Sequence, residues 1–149
     1  MFMKISWIGL KISIAGAKLS HLVQKDKIWD HGSMAEQARI IFHLVQKERN
    51  NGNLEPLKKY LTVSCFEKLK KDTNENTNKI SALKKPVIKE LAVLEVHPGK
   101  NNRPDMFTAL IQGFEKSEME DKHSSKFSDR WSFVRQGEWW LLDRMNRSN

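Results

Sequence analysis

The chain has 149 residues, of which 39% are hydrophobic and 30% charged, with a formal net charge of +8. That is one domain's length with enough apolar material for a core and a polar surface, a globular composition. A single cysteine, Cys65, excludes an internal disulfide, and the five histidines stand apart with no Cys/His metal spacing.

The charge is unevenly placed. Residues 1–89 carry 17 Lys/Arg against 8 Asp/Glu, a net of +9, whereas residues 90–149 carry 9 against 10, a net of −1. A basic half of this kind favours anionic lipid, nucleic acid or an acidic protein, and it is equally what a solvated lysine-rich surface looks like.

Residues 1–25, MFMKISWIGLKISIAGAKLSHLVQK, contain no acid and form a segment distinct from a domain over 26–149. Lys4, Lys11 and Lys18 recur every seven residues, close to two helical turns, so on a helix they form one stripe in a mostly apolar circumference. Lys11 interrupts the run of about 20 apolar residues that a plain membrane span needs. A helix lying at a membrane interface with its lysines reaching the headgroups fits the pattern, and so does a helix packed on the domain's own core. A cleaved targeting segment, or a secretory signal ending near Ala15-Gly16-Ala17, stays open behind these two.

The spacing then predicts a helix over MAEQARIIFHLVQKERN, with Ser33 as N-cap and Glu36 three residues on, stopped by Asn50-Asn51-Gly52-Asn53. Met34, Ala38, Ile41, Phe42 and Val45 form its apolar face. A short helix is expected around LEPLKKYL, and a third over VSCFEKLKKD capped by Thr62. TNENTNK reads as a loop, and Pro86 marks a change of period. Residues 87–96 and 106–116 read as strands around the loop HPGKNNRPD, and SEMEDKHSS as a charged loop.

The last strands, within KFSDRWSFVRQGEWWLLDR, are expected as a hairpin turning at Gln136-Gly137. That register sets Arg135 opposite Glu138, Arg130 opposite Asp143 and Asp129 opposite Arg144, three pairs of opposite charge. It also puts Trp131, Phe133, Trp140 and Leu142 on one face that the helices must cover. Helices first and about four antiparallel strands afterwards make an α+β fold with the helices on a curved sheet. Parallel βαβ units are excluded because no helix-length segment separates the strands.

DKIWD (26–30), ARIIFHLVQKERNNGNLEPLKKYLT (38–62) and the terminal FSDRWSFVR with WWLLD (127–143) resemble the Tim-forty-four-like domain family. The likeness runs over about residues 26–145. It implies the cone-shaped fold of nuclear transport factor two and non-enzymatic, membrane-peripheral adaptor work, and the lone Cys65 suits a reducing compartment. That would be the bacterial cytoplasmic face or the mitochondrial matrix side. It implies an anionic membrane surface and a protein as partners. The chain departs from the mitochondrial import subunit in lacking its long chaperone-binding region, which puts chaperone tethering in doubt.

On this reading Phe42, Trp131, Phe133 and Trp140 line a hydrophobic groove, although residues of this kind are more often plain core than ligand wall. Lys4, Lys11, Lys18, Lys58, Lys59, Lys70 and Lys71 contact the membrane or another anion. Nucleic acid or a ribosome is the lesser alternative: Lys58, Lys59, Lys68, Lys70, Lys71, Lys79, Lys84, Lys85 and Lys89 could form a basic stripe, but exposed stacking aromatics are not interleaved with them as a single-strand platform requires. A homodimer through the second aromatic face around Trp139 is left open. The competing class is a cone-fold enzyme of the ketosteroid isomerase or dehydratase type, with Asp129 as base among aromatics near His43. Against it, no motif places a second catalytic group, and none implies a metal or cofactor. Tyr60 reads as packing beside Leu57 and Leu61.

Overall fold

A computed structural model of the protein describes residues 2–75, 84–117 and 120–148. Helix α1 (Phe2–Leu22) leads through a 3-10 turn (Lys27–Trp29) into α2 (His31–Asn51). A second 3-10 turn (Glu55–Leu57) precedes α3 (Val63–Glu75). Strands β1 (Lys84–His97), β2 (Met106–Ser117), β3 (Glu120–Gln136) and β4 (Trp139–Ser148) follow. The strands make one antiparallel sheet in the order β1-β2-β3-β4, so the architecture is α+β, three helices and then an open four-stranded sheet.

Local chemistry explains where the helices begin and end. Asp30, not Ser33, caps α2: its backbone is extended and its carboxylate accepts from the Ser33 N–H at 2.9 Å. Ser33 sits a turn inside, where its amide is one of the orphan donors that a cap must satisfy. The Ser33 backbone N–H holds the Asp30 carboxyl below the usual carboxylate range. Gly52 ends α2 in the left-handed region at φ 77°, donating its N–H to the Glu48 carbonyl at 2.9 Å.

Pro56 stands at the start of the second 3-10 turn, and the helix expected there is only that one turn. The chain then straightens, because Leu61 forms a parallel bridge to Leu142. The Leu142 N–H donates to the Tyr60 carbonyl and the Thr62 N–H to the Leu142 carbonyl, both at 2.9 Å. Thr62 Oγ1 accepts from the Cys65 N–H at 3.3 Å, starting α3 as expected, and donates to Asp143 Oδ1 at 2.9 Å. Of the loop expected over TNENTNK, residues 73–75 belong to α3 and 76–79 lie outside the described residues. Glu120–Ser125, expected as loop, belongs to β3, with Ser117 opposite Glu120 and Ser125 opposite Glu115 across a register shift.

The β3–β4 register differs from expectation. Gln136 pairs with Trp139, Val134 with Leu141 and Phe133 with Leu142, so the turn residues are Gly137 and Glu138. Gly137 has φ 65°, the left-handed conformation that a tight hairpin turn requires and that glycine adopts without strain. A bulge between Ser132 and Phe133 leaves Asp143 unpaired in the ladder, and Asp129 then meets Arg147, not Arg144. The three predicted charge pairs are therefore not formed. The faces survive because the slip near the turn is two residues, which keeps alternation intact. Trp131, Phe133, Trp140 and Leu142 remain inward, each no more than 1% exposed.

Gly113 is a constraint that the sequence reading passed over. It pairs with Ile88 beside a β1 bulge, and a Cβ there would collide with the Val87 carbonyl oxygen. Since backbone cannot yield as a side-chain tip can, Gly113→Ala is expected to lower stability by about 1–3 kcal/mol in urea unfolding.

The interior lies between the helices and the inner sheet face. Met34, Ala38, Phe42 and Val45 of α2 meet Phe107, Ala109 and Ile111 of β2 and the β3–β4 aromatics in one cluster. Ala15 and Leu19 of α1 and Leu69 of α3 belong to it as well.

The entry to α2 is tied down by charge. Arg135 Nη1 meets Asp26 Oδ2 at 2.6 Å and Asp105 Oδ2 at 3.1 Å, while Asp105 Oδ1 accepts the Gly99 N–H at 2.7 Å. The hydrogen bond from Arg135, with that from the Ile28 N–H, lowers the Asp26 pKa from 3.8. A lowered folded-state value means that this contribution is complete above the unfolded pKa and fades as pH falls through the folded one. Wild-type thermal midpoints should therefore drop below about pH 4, and Arg135→Gln should flatten that acid limb.

Candidate functional site

Three features bear on function: the aromatic cluster and the lysines singled out above, and the outward side of α1.

The aromatic residues are brought together, as packed interior. The Phe42 ring lies 4.9 Å from that of Trp131 and 5.8 Å from Phe127. Phe107 stacks on Phe133 at 4.8 Å and meets Trp140 edge-on at the same distance. Trp140 also meets Trp29 at 5.2 Å, and its Nε1 donates to the Ile28 carbonyl at 3.3 Å. Phe42, Trp131, Phe133 and Trp140 are 0–1% exposed, so these four expected groove walls present no open surface. α2 lies directly on them, and interdigitated rings of this kind fill the space that a groove would need.

Asp129 sits at the margin of this cluster, 4% exposed. It accepts from Trp131 Nε1 at 3.1 Å and from Arg147 Nε at 2.8 Å, and Arg147 Nη1 also meets Glu115 Oε1 at 2.5 Å. Both carboxylate oxygens are thus engaged by fixed donors. His43 is exposed on the far side of Phe42, its ring 5.6 Å from the phenyl ring.

Cys65 is buried at 4% exposure, and burial, with the nearby Asp143 carboxylate adding to it, pushes its thiol up to about 12. At pH 8 the native protein should react with a disulfide reagent about a thousandfold more slowly than the unfolded chain.

The lysines do not form one patch. α1 packs chiefly along β1 and α3 along β4, at opposite edges of the sheet. Three strand spacings, roughly 14 Å, separate those edges. Lys11 does not stand free in a stripe: its Nζ lies 3.4 Å from Glu95 Oε1 and 5.8 Å from the Trp7 ring centre. Lys18 is exposed. Lys58 pairs with Glu55 at 3.0 Å and lies over Phe66, and Lys59 lies over Tyr60. Lys70 and Lys71 are exposed on α3, and Lys4 lies on α1.

The outward side of α1 was not singled out by the sequence reading. Trp7, Leu10 and Ile14 are 61%, 51% and 48% exposed, while Ala15 and Leu19 are 2% and 3% exposed against the core. At about 100° per residue the three outward side chains fall in one strip, with Lys11 and Lys18 roughly 45–70° round the helix from its centre. The lysines thus separate the outward apolar strip from the buried side. The spacing W-x2-L-x3-I carried this signal, obscured because both sides of the helix are apolar. No helix among the described residues is long and apolar enough to cross a membrane.

Together these features define an α+β protein with a closed aromatic core and an apolar, lysine-flanked helix on one sheet edge. No protein-family model and no curated protein matches the chain. Among solved structures, the intermembrane space region of the chloroplast protein ARC6 is similar at a TM-score of 0.48 and 12% identity, over 76% of this chain and 95% of that one.

Proposed function

We propose that the protein is a non-enzymatic, membrane-peripheral adaptor that docks on an anionic bilayer through α1 and holds a protein or lipid partner with the rest of the domain. The observation that supports this reading is the outward strip of Trp7, Leu10 and Ile14 beside Lys11 and Lys18 on an acid-free helix. Large apolar side chains exposed in a row, bordered by lysines, are what an interfacial helix presents. The reading keeps the family resemblance in residues 26–145 and its nuclear transport factor two-like fold as part of the proposal.

Docking is tested by co-sedimentation of the full chain with vesicles containing or lacking anionic lipid. The wild type is expected to bind anionic vesicles. Replacing Trp7, Leu10 and Ile14 together by glutamine should weaken binding on the order of tenfold or more without changing the thermal midpoint. Equal binding by both proteins would remove α1 as the docking element. Substitution is a cleaner test than removing α1, because Ala15 and Leu19 belong to the core.

A further inference from the structure

The sheet face turned away from the helices has a chemistry of its own. Alternation puts Phe107, Ala109 and Ile111 inward, and their neighbours Thr108, Gln112 and Phe114 outward. Thr108 Oγ1 and Ser132 Oγ lie 3.2 Å apart, and Gln112 Nε2 donates to Ser128 Oγ at 3.3 Å, so polar pairs flank Leu110, which shares this face between Ala92 and Arg130 and is itself only 2% exposed. Arg130 and Arg144 stand among these groups: Arg144 pairs with Ser132, and Arg130 with Asn146 one step along. At one end Phe114 pairs with Lys126 and lies 5.6 Å beneath Lys89 Nζ. At the other end Trp139, paired with Gln136, is 68% exposed. Cations and aromatic rings are therefore interleaved on this face although they are scattered in sequence. Among the described residues its acids are Glu90 and Glu95, both on β1, and Glu95 is engaged by Lys11.

We propose that this face is a platform for single-stranded nucleic acid, with Trp139 stacking on a base and Arg130 and Arg144 taking neighbouring phosphates. An exposed indole offers a stacking surface that any unpaired base fits, and guanidinium groups suit phosphate. The hydroxyl and amide groups between them offer partners to sugar and base edges. Charge disfavours a second copy of the chain, since face-to-face association would oppose Arg130 and Arg144 to each other. A peptide strand would add at an edge, but α1 packs along β1 and the Tyr60–Thr62 segment holds β4 at Leu142. The proposal uses none of the α1 side chains and does not rest on membrane docking.

The test is anisotropy of a labelled oligouridine of about 12 nucleotides with the full chain, over salt from about 50 to 200 mM. Binding is expected at low salt and should weaken linearly in log salt. Trp139→Ala should lower affinity about tenfold and leave the salt slope unchanged. Arg130→Gln with Arg144→Gln should lower both, the slope by about 1.4 for two phosphates of a single strand. Lys70→Gln with Lys71→Gln, on α3, should change neither. Thermal midpoints verify folding, and should the double variant unfold, Arg144→Gln alone carries the test, since that side chain is exposed. Failure to bind at low salt overturns the proposal. So does an equal loss from the α3 lysines, which would make binding mere charge. Equal affinity for a duplex or for polyglutamate, indifferent to Trp139→Ala, also overturns it.

Discussion

Replacing Trp140 with alanine is expected to lower the unfolding free energy by about 3–5 kcal/mol, the range for removing a buried tryptophan. Trp140 is 1% exposed and touches three other elements at once. Its ring meets Trp29 of the first 3-10 turn and Phe107 of β2, its Nε1 donates to the Ile28 carbonyl, and its backbone N–H donates to Gln37 Oε1 of α2 at 3.2 Å. A cavity there cannot collapse without moving both the helical layer and the sheet, so the cost should sit at the upper end. Trp140→Phe keeps much of the ring contact but leaves the Ile28 carbonyl without its donor, and should cost about 1–3 kcal/mol. Urea unfolding of the three proteins measures both steps. A loss below 1 kcal/mol for Trp140→Ala would mean that the helices do not rest on this ring.

Asp129→Ala should be the next most damaging change, at about 2–4 kcal/mol, because it strands a buried indole N–H and removes the charge that holds Arg147. Asp129→Asn keeps an acceptor for Trp131 Nε1 and loses the ion pair, so about 1–2 kcal/mol is expected. Arg147→Gln should cost less than Asp129→Ala, since the arginine side chain is 44% exposed and also reaches Glu115. A double-mutant cycle on Asp129→Asn and Arg147→Gln isolates the coupling between the two. Coupling near zero would contradict the observed geometry.

Much of the architecture was legible because it follows from period and local chemistry. The apolar face of α2, from Met34 to Val45, repeats at helical spacing and is buried as read. The helix-first, strand-later order with no helix between strands left α+β as the answer. Inward placement of Trp131, Phe133, Trp140 and Leu142 depends only on alternation, so it tolerates an error of two residues in register.

Placement of charge was not legible. Opposite signs in Asp129, Arg130, Arg135, Glu138, Asp143 and Arg144 suggested one register. The turn over Gly137-Glu138 moved the register by two residues, and a bulge at Asp143, which bonds Thr62 at the start of α3, moved it by one more, so Asp129 met Arg147. An exposed ion pair contributes too little to set a register that turn geometry and core packing also determine. The expected groove failed for a related reason: sequence shows that aromatic rings share a face, but not how completely a helix fills the space above it. Lys11 likewise belonged to a seven-residue stripe by spacing, yet its partner Glu95 lies 84 positions away.

The sequence by itself determined which side chains turn inward, because periodicity is a local property of the backbone. Only the tertiary structure decided what the outward sides are. Trp7, Leu10 and Ile14 become a strip because the opposite side of α1 is spent on β1. Phe114, Arg130, Trp139 and Arg144 become one surface because three strands bring them together. Burial and adjacency between distant segments depend on which elements pack together, and that is settled by the summed contacts of the whole chain.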